Sequence, residues 1–338
     1  MKIEDVWNLL EHDGNNVFSG YLTRRILPDV NYDVYLAIEK PLNNRLLMLR
    51  FNSIFFDRKT IYPTSNSFTV NRIVLPQDGE EYVTLQLVLT NVKYKDIFTT
   101  LVQDIVDCLT AVADGQAAIS TFITRLKRWQ TFLEKHHPEG LSEIAQQGLY
   151  GELWFLRQLV FPHLELLKGV RCWTGPKGTQ QDFQFAGCAA EVKTTSAKQH
   201  QKLAIASERQ LDDTGAGAIV LLHLSLDVRQ GQGETLPEMV ASVRSLVSGD
   251  AIARDELENL LFEIGYLDVH TTRYENIGYT IREYNYFKVG TDFPKIIESD
   301  LRNGVGDVRY TISVAECKRF SIPETEIIAL IGDQPSHE

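Results

Sequence analysis

Apolar positions at three- to four-residue spacing over 4–12 (EDVWNLLEH) predict a short amphipathic helix. Four strand-like runs follow: 33–39 (DVYLAIE), 45–51 (RLLMLRF), 68–75 (FTVNRIVL) and 82–89 (YVTLQLVL). Turns rich in Pro, Gly and Asn separate them, which predicts an antiparallel meander of four strands. Ile97, Leu101, Ile105, Leu109 and Val112 then carry a helical stripe, and a second helix is expected over 116–135. The sequence HHPEG at 136–140 interrupts the pattern and predicts a boundary between an N-terminal α+β module at 1–137 and a second domain at 138–338.

The second domain opens on a helix predicted over 142–161, with Ile144, Leu149, Leu153, Leu156 and Val160 as its apolar stripe. Glycine inside a helix costs about 1 kcal/mol relative to alanine, so Gly148 and Gly151 beside Glu152 suggest close approach by another element. Residues 166–173 read as a short strand or loop, 174–179 (TGPKGT) as a basic turn and 202–206 as a short strand. Ser207 with Gln210 three residues later fits a capping box opening a helix. The apolar run 216–226 (AGAIVLLHLSL) is the candidate central strand, with His223 as a core histidine. Helices over 235–248 and 251–264, strands over 279–289 and 308–314 and a polar tail complete a mixed α/β class.

Between these elements, 182–195 (DFQFAGCAAEVKTT) reads as two strands joined at Ala186-Gly187. Side chains alternate faces along a strand. Phe183, Phe185, Cys188, Ala190 and Val192 share one apolar face, while Asp182, Gln184, Glu191, Lys193 and Thr195 share the other. A two-residue loop pairs Phe185 with Cys188 and sets Asp182 opposite Glu191; a three-residue loop would put the two acids on opposite faces. Opposed carboxylates are unfavourable unless a cation lies between them or one holds a proton. A hard divalent ion is the simplest occupant, with Lys193 on the same face.

The chain has 338 residues, 43% hydrophobic and 23% charged, which is the balance of a soluble globular protein and leaves no membrane-spanning run. The opening MKIEDVWNLLEHDG lacks the basic-then-apolar layout of a secretory signal, so a cytoplasmic location is expected. The four cysteines, Cys108, Cys172, Cys188 and Cys317, are scattered, which argues against a zinc knuckle or disulfide framework. A net charge of −11 argues against a general nucleic-acid coat, but the charge is uneven. Residues 166–210 hold seven basic residues (Lys168, Arg171, Lys177, Lys193, Lys198, Lys202, Arg209) against three acidic ones, whereas 211–338 hold 11 against 22. The basic neighbourhood surrounds the hairpin.

An Asp nine residues before Glu-x-Lys on consecutive strands, after a helix carrying a Glu, resembles the PD-(D/E)XK nuclease superfamily. Glu152 matches the helical acid, Asp182 the first strand acid and Glu191-Val192-Lys193 the (D/E)XK. The combination GLYGELWFL, CWTG, DF, EVKTT and SERQL is similar to a group of such proteins in bacterial restriction-like gene neighbourhoods. Gln181 stands where many superfamily members have Pro. The resemblance implies a restriction-endonuclease-like core, a mixed central sheet flanked by helices, and Mg²⁺-dependent hydrolysis of DNA phosphodiesters, with Mn²⁺ as substitute. It implies that Asp182, Glu191, the Val192 carbonyl and Glu152 hold metal and that Lys193 orients the attacking water. Lys177, Lys198, Lys202 and Arg209 would meet DNA phosphates, and His200 and Gln210 would be auxiliaries. DNA, ATPase or methyltransferase components of a restriction-like system and a second copy in a homodimer are the expected partners. Two alternatives stand beside this reading: an inactive nuclease-fold subunit for nucleic-acid binding or assembly, and an unrelated α/β protein with an ordinary surface acid cluster.

Overall fold

The computed structural model describes residues 2–13, 18–56, 60–75, 79–213 and 217–332. The chain forms two compact units, Met1–Glu139 and Gly140–Glu338.

In the first unit, helix α1 (Ile3–Asp13) precedes strands β1 (Gly20–Ile26), β2 (Asp33–Lys40), β3 (Asn44–Asn52), β4 (Phe68–Ile73) and β5 (Tyr82–Leu89). Helices α2 (Lys95–Thr110) and α3 (Gly115–Lys135) follow. The antiparallel sheet runs β1-β2-β3-β5-β4, so the expected simple meander is corrected: β5 inserts between β3 and β4. Strand β1 escaped the sequence pattern because it is an exposed edge strand, with only Ile26 buried. Arg45 is buried in this unit, where its guanidinium meets Glu4 at 2.6 Å and Glu11 at 2.9 Å. Those ion pairs offset the cost of removing its charge from water.

The second unit begins with helix α4 (Glu143–Phe155), capped by the Ser142 hydroxyl accepting from the Ala145 N–H. A π-helical turn (Leu156–Val160), helix α5 (Phe161–His163) and helix α6 (Leu166–Cys172) follow. The strand or loop expected at 166–173 is therefore a helix over most of its length; Gly169 and Val170 are buried, and seven residues are too few for a clear period. Next come β6 (Phe183–Gln184), β7 (Cys188–Thr195), β8 (Lys202–Ile205), β9 (Ala218–Gln230) and β10 (Glu234–Thr235). Helices α7 (Leu236–Val247), α8 (Ala251–Glu263) and α9 (Thr271–Tyr274) lead to β11 (Ile277–Val289). The chain continues through β12 (Tyr310–Ser313), α10 (Val314–Cys317), β13 (Ser321–Ile322) and α11 (Glu324–Gly332). Helix α11 lies where a polar tail was expected; it buries Ile327 and Ile331.

The main sheet is mixed, in the order β10-β11-β9-β7-β6. The central β9 runs parallel to β7 and antiparallel to β11. On one face Ala190, Val192, Val220, Leu222 and Leu224 pack with apolar residues of α4, α7 and α8. On the other, Ala189, Ile219 and Leu221 join a smaller core with Leu203, Ile205, Phe293 and Ile312. Continuing along that second face, β7 and β9 place Glu191, Lys193 and Thr195 beside Leu221, His223 and Ser225. The candidate chemistry therefore sits where the second apolar core gives way to polar side chains.

Candidate active site

The β6–β7 hairpin fixes the register. Phe183 pairs with Ala190, Gln184 pairs with Ala189, and the Phe185 N–H donates to the Cys188 carbonyl. This is the two-residue loop, and it sets Asp182 across from Glu191. Strand β6 begins only at Phe183, so the Val192 N–H has no β6 strand partner; the Asp182 carboxylate takes it instead, with Oδ2 2.8 Å away. The Asp182 carbonyl accepts from the N–H groups of Thr174 and Gly175, both at 2.9 Å. Gly175 keeps this corner open: a Cβ on it would stand 3.0 Å from Asp182 Oδ1 and 3.3 Å from Glu152 Oε2. One point thus lies in contact range of both carboxylates, which brings helix α4 and the hairpin to a common site.

Helix α4 reaches the sheet through Gly151, not Gly148. A Cβ on Gly151 would lie 2.5 Å from Thr194 Cγ2, whereas one on Gly148 would meet nothing within 4 Å. The suggestion of close approach therefore applies to Gly151 alone. Ile144, expected in the apolar stripe, is 86% exposed. Glu152 Oε2 accepts from the indole N–H of Trp173 at 2.7 Å. Trp173 is fully buried, and its polar edge is satisfied by this acid.

Glu191 is the deepest of the acids, 1% exposed, so the hairpin's polar face is not a solvated one. Lys193 Nζ stands 2.7 Å from Glu191 Oε1, an ion-pair distance. Neither buried Glu191 oxygen completes a hydrogen bond by geometry, so Lys193 compensates the carboxylate through charge. Lys193 instead donates to Gln210 Oε1 at 3.2 Å, an oxygen that also accepts from the Ala206 N–H at 2.7 Å. This corrects the capping-box reading of 207–210. The segment 208–211 is a turn, no helix follows Ser207, and Gln210 faces the site and holds Lys193.

Each acid holds its proton more tightly than in water. Burial, then the Asp182 and Lys193 charges in opposition, pushes Glu191 up to about 8. Burial and then Asp182 raise Glu152 well above the usual carboxylate range, with the Trp173 N–H pulling the other way. Burial raises Asp182 against the Val192 N–H and Lys193. Glu152 and Asp182 are half-buried, so water screens their charges in part. For Lys193, burial would lower the pKa, but Glu191, Asp182 and Glu152 together outweigh it and raise it. All four groups therefore feel one another's charge.

The family model described as "Putative PD-(D/E)XK family member, (DUF4420)" matches residues 3–315. The chain belongs to that family. No curated protein and no solved structure matches it.

In this PD-(D/E)XK family member the donors fit a hard cation. The Glu191 oxygens, buried and completing no hydrogen bond by geometry, Asp182 Oδ1 and the space that a side chain on Gly175 would fill are the kind of oxygen donors and room such an ion uses. Among the described residues no group of three or more His, Cys, Asp or Glu side chains is arranged to hold a metal ion. The donors are all oxygens, the kind a hard divalent cation takes.

Lys177, Lys198, Lys202 and Arg209 are exposed. Arg209 has long contacts to Glu208 at 3.8 Å and Glu298 at 3.9 Å. His200 is exposed at φ 51 in the loop before β8. His223 is a core histidine: its Nε2 lies 2.8 Å from Thr195 Oγ1, and burial pulls its pKa down to about 4. The residues that sequence reasoning missed are Trp173 and Gly175. Both lie in the CWTG segment, whose signal was a tryptophan beside a turn glycine.

Proposed function

We propose that this chain is a Mg²⁺-dependent endonuclease that hydrolyses DNA phosphodiester bonds, acting in the cytoplasm as part of a bacterial restriction or defence system. The observation that carries this is the meeting of Glu152, Asp182 and Glu191 around Lys193, with the buried Glu191 carboxylate ion-paired to Lys193 at 2.7 Å. Asp182, Glu191, the Val192 carbonyl and Glu152 would hold Mg²⁺, or Mn²⁺ in its place. The chemistry such an ion supplies is neutralisation of phosphoryl charge and a lowered pKa for water. Lys193, steadied by Gln210, orients the attacking water and offsets negative charge growing on the phosphate. Glu152 would help hold the metal; as the water oxygen bonds to phosphorus the bond to the sugar oxygen breaks, the attacking water's proton passing to solvent and the leaving oxygen taking one from it. Lys177, Lys198, Lys202 and Arg209 supply sequence-independent phosphate contacts. ATPase or methyltransferase components and a second copy of the chain are the proposed protein partners.

A second reading, an inactive nuclease-fold subunit that binds nucleic acid or assembles a complex, draws on the acidic C-terminal half, where 211–338 hold 22 acidic residues against 11 basic. One experiment separates them. Purified protein is incubated with plasmid DNA and with RNA, in Mg²⁺ and in Mn²⁺, beside Lys193→Ala. The nuclease reading expects DNA cleavage and a loss of roughly 10²–10³-fold in the variant, the cost of removing one preorganised charge-stabilising group. Equal cleavage by both proteins rejects the site. Absence of cleavage with retained DNA binding selects the inactive subunit.

A further inference from the structure

The active-site face of the hairpin continues past the carboxylates into a cavity. From the Asp182–Glu191 pair toward the turn, the next cross-strand pair on that face is Gln184 with Ala189. A cavity of about 360 Å³ opens there, lined by Gln180, Gln181, Gln184, Ala189, Asp212 and Gly217 among others. Two residues along a strand advance roughly 6.5 Å, about two stacked nucleotide steps at the ~3.4 Å rise per base of one strand.

The cavity and the catalytic centre share a wall. The buried Gln181 donates to the carbonyls of Arg209 at 3.1 Å and Gln210 at 3.4 Å, and Gln210 in turn holds Lys193. Gly217, at φ +74, closes the opposite side against Gly187, whose carbonyl a Cβ would meet at 2.5 Å. The amides of Gln180 and Gln184 are exposed and hydrogen-bonded to none of the described residues. These amides carry no charge and offer paired donors and acceptors; Asp212 is the acid in the lining, so the cavity is not built for a phosphate.

Resting on the nuclease reading of the neighbouring site, we propose that this cavity receives a nucleobase of the bound strand, one or two nucleotides from the scissile phosphate. Gln184, with Gln180 also lining the cavity, reads its edge through amide hydrogen bonds. A glutamine amide matches an edge that sets a donor beside an acceptor, as adenine N6 and N7 do. A base reaches such a cavity when it is unstacked or in a single strand. The structure thereby assigns a sequence preference to residues outside the metal-binding set.

The test is cleavage of random-sequence single- and double-stranded DNA in Mn²⁺, with the cut ends sequenced, for the wild-type protein, Gln184→Ala and Gln184→Glu. The expected wild-type profile shows one biased position within two nucleotides of the cut. In Gln184→Ala that bias falls by roughly 5- to 150-fold, the discrimination carried by one bidentate base contact, while total cleavage persists. In Gln184→Glu, which keeps the acceptor and loses the donor, the preference moves toward bases that offer an amino group. An unbiased wild-type profile, or identical profiles in all three proteins, overturns the proposal and leaves the nuclease reading standing. No cutting by the wild type in any condition overturns both.

Discussion

Asp182 Oδ2 accepts the Val192 N–H at 2.8 Å, just before strand β6 begins at Phe183. The same carboxylate therefore completes the sheet edge with one oxygen and offers the other toward Glu152. Asp182→Asn keeps a carbonyl-type acceptor for that N–H, whereas Asp182→Ala leaves it without a partner. Denaturant melts should show Asp182→Ala destabilised by about 1–3 kcal/mol, the cost of an unsatisfied buried donor, and Asp182→Asn by much less. Isothermal titration with Mn²⁺ should show binding lost in both. Full Mn²⁺ affinity in Asp182→Asn would remove Asp182 from the metal site.

Three acids with raised pKa values make the metal-free protein sensitive to alkali. A carboxyl whose folded pKa lies above its unfolded value binds more protons folded than unfolded between the two, so stability falls as pH rises through that window. For Glu191 the window runs from 4.5 to about 8. His223 acts in the opposite sense below 6.5, because burial pulls it down to about 4 and protonation then favours unfolding. The raised Lys193 pKa keeps that group charged throughout. Between about pH 6.5 and 8, Tm in chelator should therefore fall, and added Mg²⁺ should raise Tm more at pH 8 than at pH 6.5. Glu191→Gln should flatten both trends. A Tm that rises with pH in chelator would contradict the buried-acid account.

The two glycines of α4 should respond to alanine with opposite signs. At Gly148 a Cβ meets nothing within 4 Å, so Gly148→Ala gains helix propensity and should stabilise by up to ~1 kcal/mol. At Gly151 the Cβ would fall 2.5 Å from Thr194 Cγ2 and 3.3 Å from Val192 Cγ1. There overpacking outweighs propensity, and Gly151→Ala should cost about 1–3 kcal/mol and shift α4 away from the hairpin. Thermal or urea melts of the two variants decide the matter; equal effects would mean that α4 does not rest on β7 at Gly151.

What the sequence made legible was local and periodic. The Ala186-Gly187 turn fixed the register of Asp182 and Glu191, and the apolar run of β9 marked the centre of the sheet. What it hid was set by tertiary partners. Gln210 satisfies the spacing rule for a helix cap, yet no helix forms; its amide is drawn instead to Lys193 and the Ala206 N–H. Trp173 carries no local sign that its indole will meet an acid 21 residues earlier in the chain. Strand β1 and helix α6 were too exposed or too short for periodicity to reveal.

That indole tunes the helical acid. Its N–H, 2.7 Å from Glu152 Oε2, favours the charged carboxylate and partly opposes the rise caused by burial and by Asp182. Trp173→Phe keeps most of the buried ring and removes the donor, so the Glu152 pKa should climb further. Mn²⁺ affinity near neutral pH should then drop, because the ion must displace a more tightly held proton, and should recover as pH is raised. Cleavage, if measured, should show its acidic limb displaced to higher pH by the same amount. Trp173→Ala would confound this with a cavity costing ~3–5 kcal/mol, which is why the phenylalanine variant is the informative one. Affinity in Trp173→Phe that is reduced equally at every pH would show that Trp173 acts through packing and not through the protonation of Glu152.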